Sequence, residues 1–268
     1  MRDVRIAAVI CSSLIAVSAF AGVSPEELTR KAVQNFQRNY QVTALKYTYM
    51  EADVDSDGSE KTSVGRVFPV NGLPYEFETS RNGTPLNPEQ LKKEQGKLDA
   101  RKSEGKEERE KRIRNYLRDR AFLNEVPEAF ACKVSGEQEL HARANYVLDC
   151  DPKPGYHAVD SRAAMFSHIH ARIYIDKDDL QMTRAEAKVL ETISFGWILA
   201  RIGPGADMNL EQTRLTDSDW LPSLIDVNGT ARILLIHDHP IHERITYYDF
   251  KPINGNAAAA MNISKLGL

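Results

Sequence analysis

Histidine supplies the only side chains in this chain that are spaced for chelation. His168-Ile169-His170 places two imidazoles two residues apart, and His237-Asp238-His239 repeats the pattern. On a strand, such residues share a face, and neutral imidazoles hold zinc or copper. If the two strands were neighbours, His168, His170, His237 and His239 could converge on one ion. The competing reading is solvated histidines, favoured because Arg172 shares the parity of His168 and His170. Spacings for catalysis are missing: no Gly-x-Ser-x-Gly elbow, no His-Glu-x-x-His, no phosphate loop. Asp55-Ser56-Asp57-Gly58 opens like a calcium loop, but Arg66 stands where the closing Glu is needed, so the stretch reads as a turn. The sequence therefore predicts neither an enzyme nor a cofactor.

Cys132 and Cys150 carry the remaining chemistry. A hairpin turning near His141 sets Cys132 opposite Cys150, Val134 opposite Leu148 and Gly136 opposite Tyr146. These pairs also share the less polar face. A cross-strand disulfide follows, and with it an oxidising compartment. Closing so short a ring contributes about 3 kcal/mol in the loop-entropy account.

The amino terminus agrees with that compartment. Arg2 and Arg5 precede an apolar run, and Ala19-Phe20-Ala21 has the spacing of a signal-peptidase site. The expected organisation is a signal peptide over 1–21, one β-domain over 22–253 with a charged helical insertion over 88–120, and a loose tail over 254–268. Taking away Arg2, Asp3 and Arg5 leaves 33 basic and 37 acidic residues. That balance argues against nucleic acid and against attraction to anionic membranes. No second long apolar run exists, so no transmembrane span is expected after cleavage, and the expected location is the periplasm.

The elements that would position a site are mostly strands. Ser24-Pro25-Glu26-Glu27 starts a helix whose apolar residues are Leu28, Ala32, Val33, Phe36 and Tyr40. Strands are expected over 47–54 and 64–70, then from Pro74 to Arg81 across an Asn71-Gly72 turn. Met165 to Ile175 alternates, with Ile169 and Ile173 inward. After a polar turn at Asp176–Asp179, the returning arm puts Thr183, Ala185, Ala187 and Val189 inward. Small inward residues leave room above the sheet. Ile193–Ile202 reads as one strand, and Asn228-Gly229 as a turn between strands over 223–227 and 231–237. The strand over 244–250 comes last. This makes about eleven strands with local turns and no βαβ units: a mainly β protein with a few helices, built on a curled antiparallel sheet.

This order resembles the lipoprotein-localisation fold, the group of the periplasmic carrier of outer-membrane lipoproteins and of outer-membrane lipoprotein-sorting-like proteins. The likeness lies in the early helix, the Tyr47-Thr48-Tyr49 strand, the Ile173-Tyr174-Ile175-Asp176 strand end, the Phe195-Gly196 strand and the Trp220-Leu221-Pro222 lead-in. It covers most of Ser24 to Pro252. The resemblance implies an unclosed barrel with a helical plug over an apolar concave face that holds acyl chains. Two departures stand out: the insertion after Asn87 is long for the carrier, and the carrier's cavity arginine matches no residue here. The expected function is binding of a lipid or an acylated protein in envelope transport, with an envelope protein as a further possible partner. The cavity wall is expected from Ile169, Ile173, Ala185, Ala187, Phe195, Trp197 and Leu199, and the alternative is the histidine metal site.

Overall fold

In the computed structural model, residues 23–56, 60–195, 200–233 and 237–253 are described, with the backbone alone at 195, 200, 231–233 and 237–239. The expected signal peptide and tail lie outside these residues. Ser24 caps α1 (Pro25–Gln41), its hydroxyl oxygen accepting from the Glu27 amide at 3.2 Å. A short 3-10 turn leads into β1 (Tyr47–Ser56), β2 (Glu60–Val70), β3 (Leu73–Arg81) and the two-residue β4 (Thr84–Pro85). Asn71 and Gly72 both take positive φ at the β2–β3 tip, as a tight hairpin turn requires.

The charged insertion is two helices, α2 (Pro88–Lys102) and α3 (Lys106–Arg118). Asn87 and Gln90 form a reciprocal capping box at the start of α2. Ile113 and Leu117 of α3 bury themselves against Leu73, so this insertion packs on the sheet. After the single-turn α4 (Val126–Ala129) come β5 (Phe130–Leu140) and β6 (Arg143–Pro152). Cys132 and Cys150 face each other there and form the disulfide. The expected register holds as far as Val134 opposite Leu148. A bulge then sets Gly136 opposite Val147 instead of Tyr146.

The central hairpin is β7 (Ile169–Asp176) and β8 (Met182–Val189), pairing Ile173 with Ala185 and Ala171 with Ala187. Met165 to His168 belong to a 3-10 turn before it, not to the strand. The stretch Ile193–Ile202 is also not one strand. β9 (Ile193–Phe195) and β10 (Ala200–Ile202) pair antiparallel with each other. β11 (Asp207–Arg214), β12 (Trp220–Ile233) and β13 (His237–Pro252) finish the chain. β12 runs straight through Asn228-Gly229, where a turn was expected, because both residues pair with β13. The absent side chain serves packing: a Cβ at Gly229 would stand 2.6 Å from Ala206 Cβ.

The strands form one antiparallel path in the order β4-β3-β2-β1-β13-β12-β11-β8-β7-β6-β5, with β10 and β9 attached at β12. The ends of the path, β4 and β5, do not pair, so the barrel stays open. α1 lies on the concave face, as the resemblance implies. Leu28 and Ala32 of α1 join Leu148, Cys150, Ile169, Ala171, Ile173 and Ile175 in the largest buried cluster. The opposite face is wet and carries ion pairs such as Arg184 with Glu211 at 2.8 Å and Arg172 with Asp149 at 2.8 Å. Gly229→Ala is expected to destabilise the chain by about 1–3 kcal/mol through overpacking against Ala206. Urea unfolding measures it; a stabilised variant would refute the close approach.

Candidate functional site

Cross-strand pairing lets the concave face be read row by row, because directly paired residues share a side of the sheet. One row runs Ile173, Ala185, Leu210, Ile225, Ile245, Asp53, Ser63, Arg81. The next runs Ala171, Ala187, Met208, Val227, Glu243, Asp55, Lys61. Each row starts under α1: Ala171 and Ile173 are buried in its core. Across the middle strands the rows emerge. Ala185, Ala187, Leu210, Ile225, Val227 and Ile245 are only half-buried, and Met208 is 37% exposed. The result is an apolar strip over β8, β11, β12 and β13 that the described residues leave partly uncovered.

On β1 and β2 the same face turns acidic. Tyr49 pairs with Val67, Glu51 with Gly65, and Asp53 with Ser63. Gly65 matters here because a Cβ would stand 2.4 Å from Glu76 Oε1, so the carboxylate of Glu76 folds across the bare glycine. That brings Glu76 towards Glu51. Burial, then the charges of Glu76 and Asp53, push the Glu51 acid up to about 7. Burial also raises Asp53, Glu76 and Glu243, each further raised by neighbouring carboxylates. Asp53 Oδ1 is buried without a hydrogen-bond partner. Tyr49 and Tyr247 stand edge-to-face at 5.9 Å beside Glu51, and burial raises both phenols.

Beyond this acidic band, a cavity of about 530 Å³ opens between the sheet and α2. Ser63, Tyr75, Glu76, Glu78 and Arg81 line it from β2 and β3, and Glu94, Lys97 and Arg101 from α2. The Asn71 side chain donates to the Arg101 carbonyl at 2.6 Å and ties the end of α2 to the hairpin tip. Arg81 grips Glu78 through two bonds of 2.7 and 2.5 Å, and Lys97 meets the buried Glu94 at 2.5 Å.

The expected wall residues fall into three groups. Ile169 and Ile173 sit in the packed core under α1 and line no open wall. Ala185 and Ala187 lie in the exposed rows. Phe195 is on the β9–β10 hairpin, off the main sheet path, while Trp197 and Leu199 lie outside the described residues. Met208, Leu210, Ile225, Val227 and Ile245 were not singled out from sequence. Their alternation on three strands carried the signal, but only the pairing register aligns them with Ala185 and Ala187.

The four histidines are not brought together. β7 and β13 are separated by β8, β11 and β12, so the neighbouring strands that a shared ion required do not exist. His170 Nδ1 instead lies 2.8 Å from Asp151 Oδ1, and His168 Nδ1 lies 3.4 Å from Glu191 Oε2. Among the described residues, no group of three His, Cys, Asp or Glu is arranged to hold a metal. Also among them, no helix is long and apolar enough to cross a membrane.

No family model and no curated protein matches the sequence. Among solved structures, the chain is similar to a LolA superfamily protein from Nitrosomonas europaea, at 9% identity and a TM-score of 0.36, over 91% of this chain and 100% of that one. It is also similar to a domain described as outer-membrane lipoprotein-sorting from Vibrio parahaemolyticus, at 7% identity and a TM-score of 0.37, over 89% of this chain and 99% of that one. Neither likeness carries a functional argument, so the site rests on this chain's own residues.

The acidic band has a consequence for stability. Glu51 titrates at 4.5 ordinarily and at about 7 in the fold. Between those values the native chain keeps a proton that the unfolded chain has lost, so stability falls as pH rises through that window. Glu51→Gln removes this contribution, and the drop in urea midpoint between about pH 5 and about pH 8 should shrink. A drop as large as in the unaltered chain would show that Glu51 is not held in its acid form.

Proposed function

We propose that this chain is an exported, non-catalytic protein that binds an apolar chain, from a lipid or an acylated protein, across the concave face of its sheet. Residues 22–253 would act as one periplasmic unit after removal of 1–21. The observation that supports this reading is the uncovered apolar strip of Ala185, Ala187, Met208, Leu210, Ile225, Val227 and Ile245. A monomeric fold normally covers such a surface or uses it. Covering it would contribute about 25 cal/mol per Å² of apolar area, or about 2.5 kcal/mol for each 100 Å², without any charged contact. The disulfide between Cys132 and Cys150 suits an oxidising compartment.

The small side chains of Ala185 and Ala187 would leave depth for the bound chain where β8 emerges from beneath α1. Of the seven wall residues expected from sequence, these two remain in the proposal.

Ala187→Trp tests it by filling the strip between Ala171 and Met208. Binding of a fluorescent fatty acid should weaken by about tenfold or more, an effect of about 1.4 kcal/mol, while circular dichroism stays unchanged. Leu210→Asp, placing a charge in the same row, should weaken binding as well. Undiminished binding in both variants would reject the strip as the site.

A further inference from the structure

The polar cavity beside α2 lies across the acidic band of β1 from the apolar strip, on the same rows of the sheet. Ser63 on its floor pairs with Asp53 and so belongs to the row that begins at Ile173. We propose that this cavity seats the head group of the bound molecule, and that the head group is zwitterionic, an ammonium close to a phosphate, with its alkyl tail lying along the apolar rows. This inference rests on the apolar-chain reading above.

The charges in the cavity favour one group of each sign. It holds three acids, Glu76, Glu78 and Glu94, and three bases, Arg81, Lys97 and Arg101. Two of each are already matched: Arg81 with Glu78, and Lys97 with Glu94. Glu76 makes no ion pair among the described residues; burial and the charges of its neighbours Glu78, Asp53 and Glu94 disfavour its charge, and the charge of Lys97 acts the other way. An ammonium placed there relieves that repulsion, and Tyr75 stands on the same wall. On the helix side Arg101 is only loosely held, with Glu104 at 3.8 Å, while Glu104 itself is taken by Arg112 at 2.8 Å. Arg101, which also lies over the Tyr75 ring at 6.0 Å, would turn from these loose contacts to meet a phosphate, with Lys97 and the Ser63 hydroxyl lining the same cavity. A purely anionic head group would face the unpaired Glu76. A purely cationic one would leave Arg101 with only its loose contacts to Glu104 and Tyr75.

The dimensions agree. From β8 to β13 the apolar rows cross three strand spacings, about 14 Å, which is room for much of a long alkyl chain. The cavity of about 530 Å³ lies beyond the acidic band on β1.

The test is isothermal titration of the full chain with three single-tailed lipids sharing a palmitoyl chain, each below its micelle concentration. These are lysophosphatidylethanolamine, lysophosphatidylglycerol and monoacylglycerol. The zwitterionic lipid should bind about tenfold tighter than either other. Glu76→Gln and Arg101→Ala should each cut that preference to about threefold or less, with monoacylglycerol affinity unchanged, which also shows that the variants fold. Equal affinities for all three heads, or a preference for the anionic lipid, would overturn the head-group assignment and leave the strip standing. Glycerophosphoethanolamine bound as tightly as the whole lipid would also overturn it, making the cavity a site for a small soluble zwitterion. If none of the three lipids bound, the apolar-chain reading itself would fall.

Discussion

A 17-residue helix is about 26 Å long, whereas eleven strands side by side measure about 48 Å across. α1, laid across the concave face, therefore covers only part of it. α1 seals the side built from β5 to β8, where Leu28 and Ala32 meet Leu148, Ile173 and Ile175. The α2–α3 pair closes on the far hairpin through Ile113, Leu117 and Leu73. The two covers touch where Tyr40 of α1 meets Tyr116 of α3 at 6.2 Å, and beyond that contact the sheet is left half-buried. The strip and the acidic band occupy this part, and the polar cavity opens beside it between the sheet and α2. Closing the barrel would have removed it, but β4 and β5 remain unpaired at opposite ends of the path.

Much of this was legible because period-two patterning survives wherever a strand has one wet face. Ile169, Ile173 and Ile175 opposite Arg172, and Thr183, Ala185 and Ala187 opposite Arg184 and Glu186, gave the central hairpin and its inward face. Ser24-Pro25 gave the start of α1, and the two cysteines gave a register accurate up to the bulge after Val134. What failed was local turn chemistry overruled by long-range pairing. Asn228-Gly229 carries the same hairpin signal as Asn71-Gly72, yet both residues pair with β13, and the glycine serves to admit Ala206. Conversely, Ile193–Ile202 looked like one apolar strand and is a hairpin.

The functional face was harder to read for a related reason. The strip is assembled from strands far apart in sequence, so its members look like ordinary strand residues until the register aligns them. The acidic band was closer to view. Tyr47, Tyr49, Glu51, Asp53 and Asp55 alternate along β1, which puts carboxylates on the same side as buried tyrosines. An aromatic-to-acidic change along one strand face signals a surface that leaves the core and is not yet solvent. The histidine pairs misled because their spacing is correct for chelation while the sheet order keeps them apart.

Like charges gathered together raise the free energy of the folded state, and Glu51, Asp53, Glu76 and Glu243 are such a group among the described residues. Gly65 could carry a side chain only by displacing Glu76, so the backbone itself is shaped to let that carboxylate lie against the sheet. A fold that needed only solubility could put the same charges on its convex face, where arginines such as Arg172, Arg184 and Arg244 pair with their carboxylates. The contrast between the two faces supports the proposal that the concave side takes a ligand. On one side of the sheet each of these charges has its partner within the chain. On the other, an apolar strip runs into acids for which no ion pair is found among the described residues, and the proposed ligand is what would complete both.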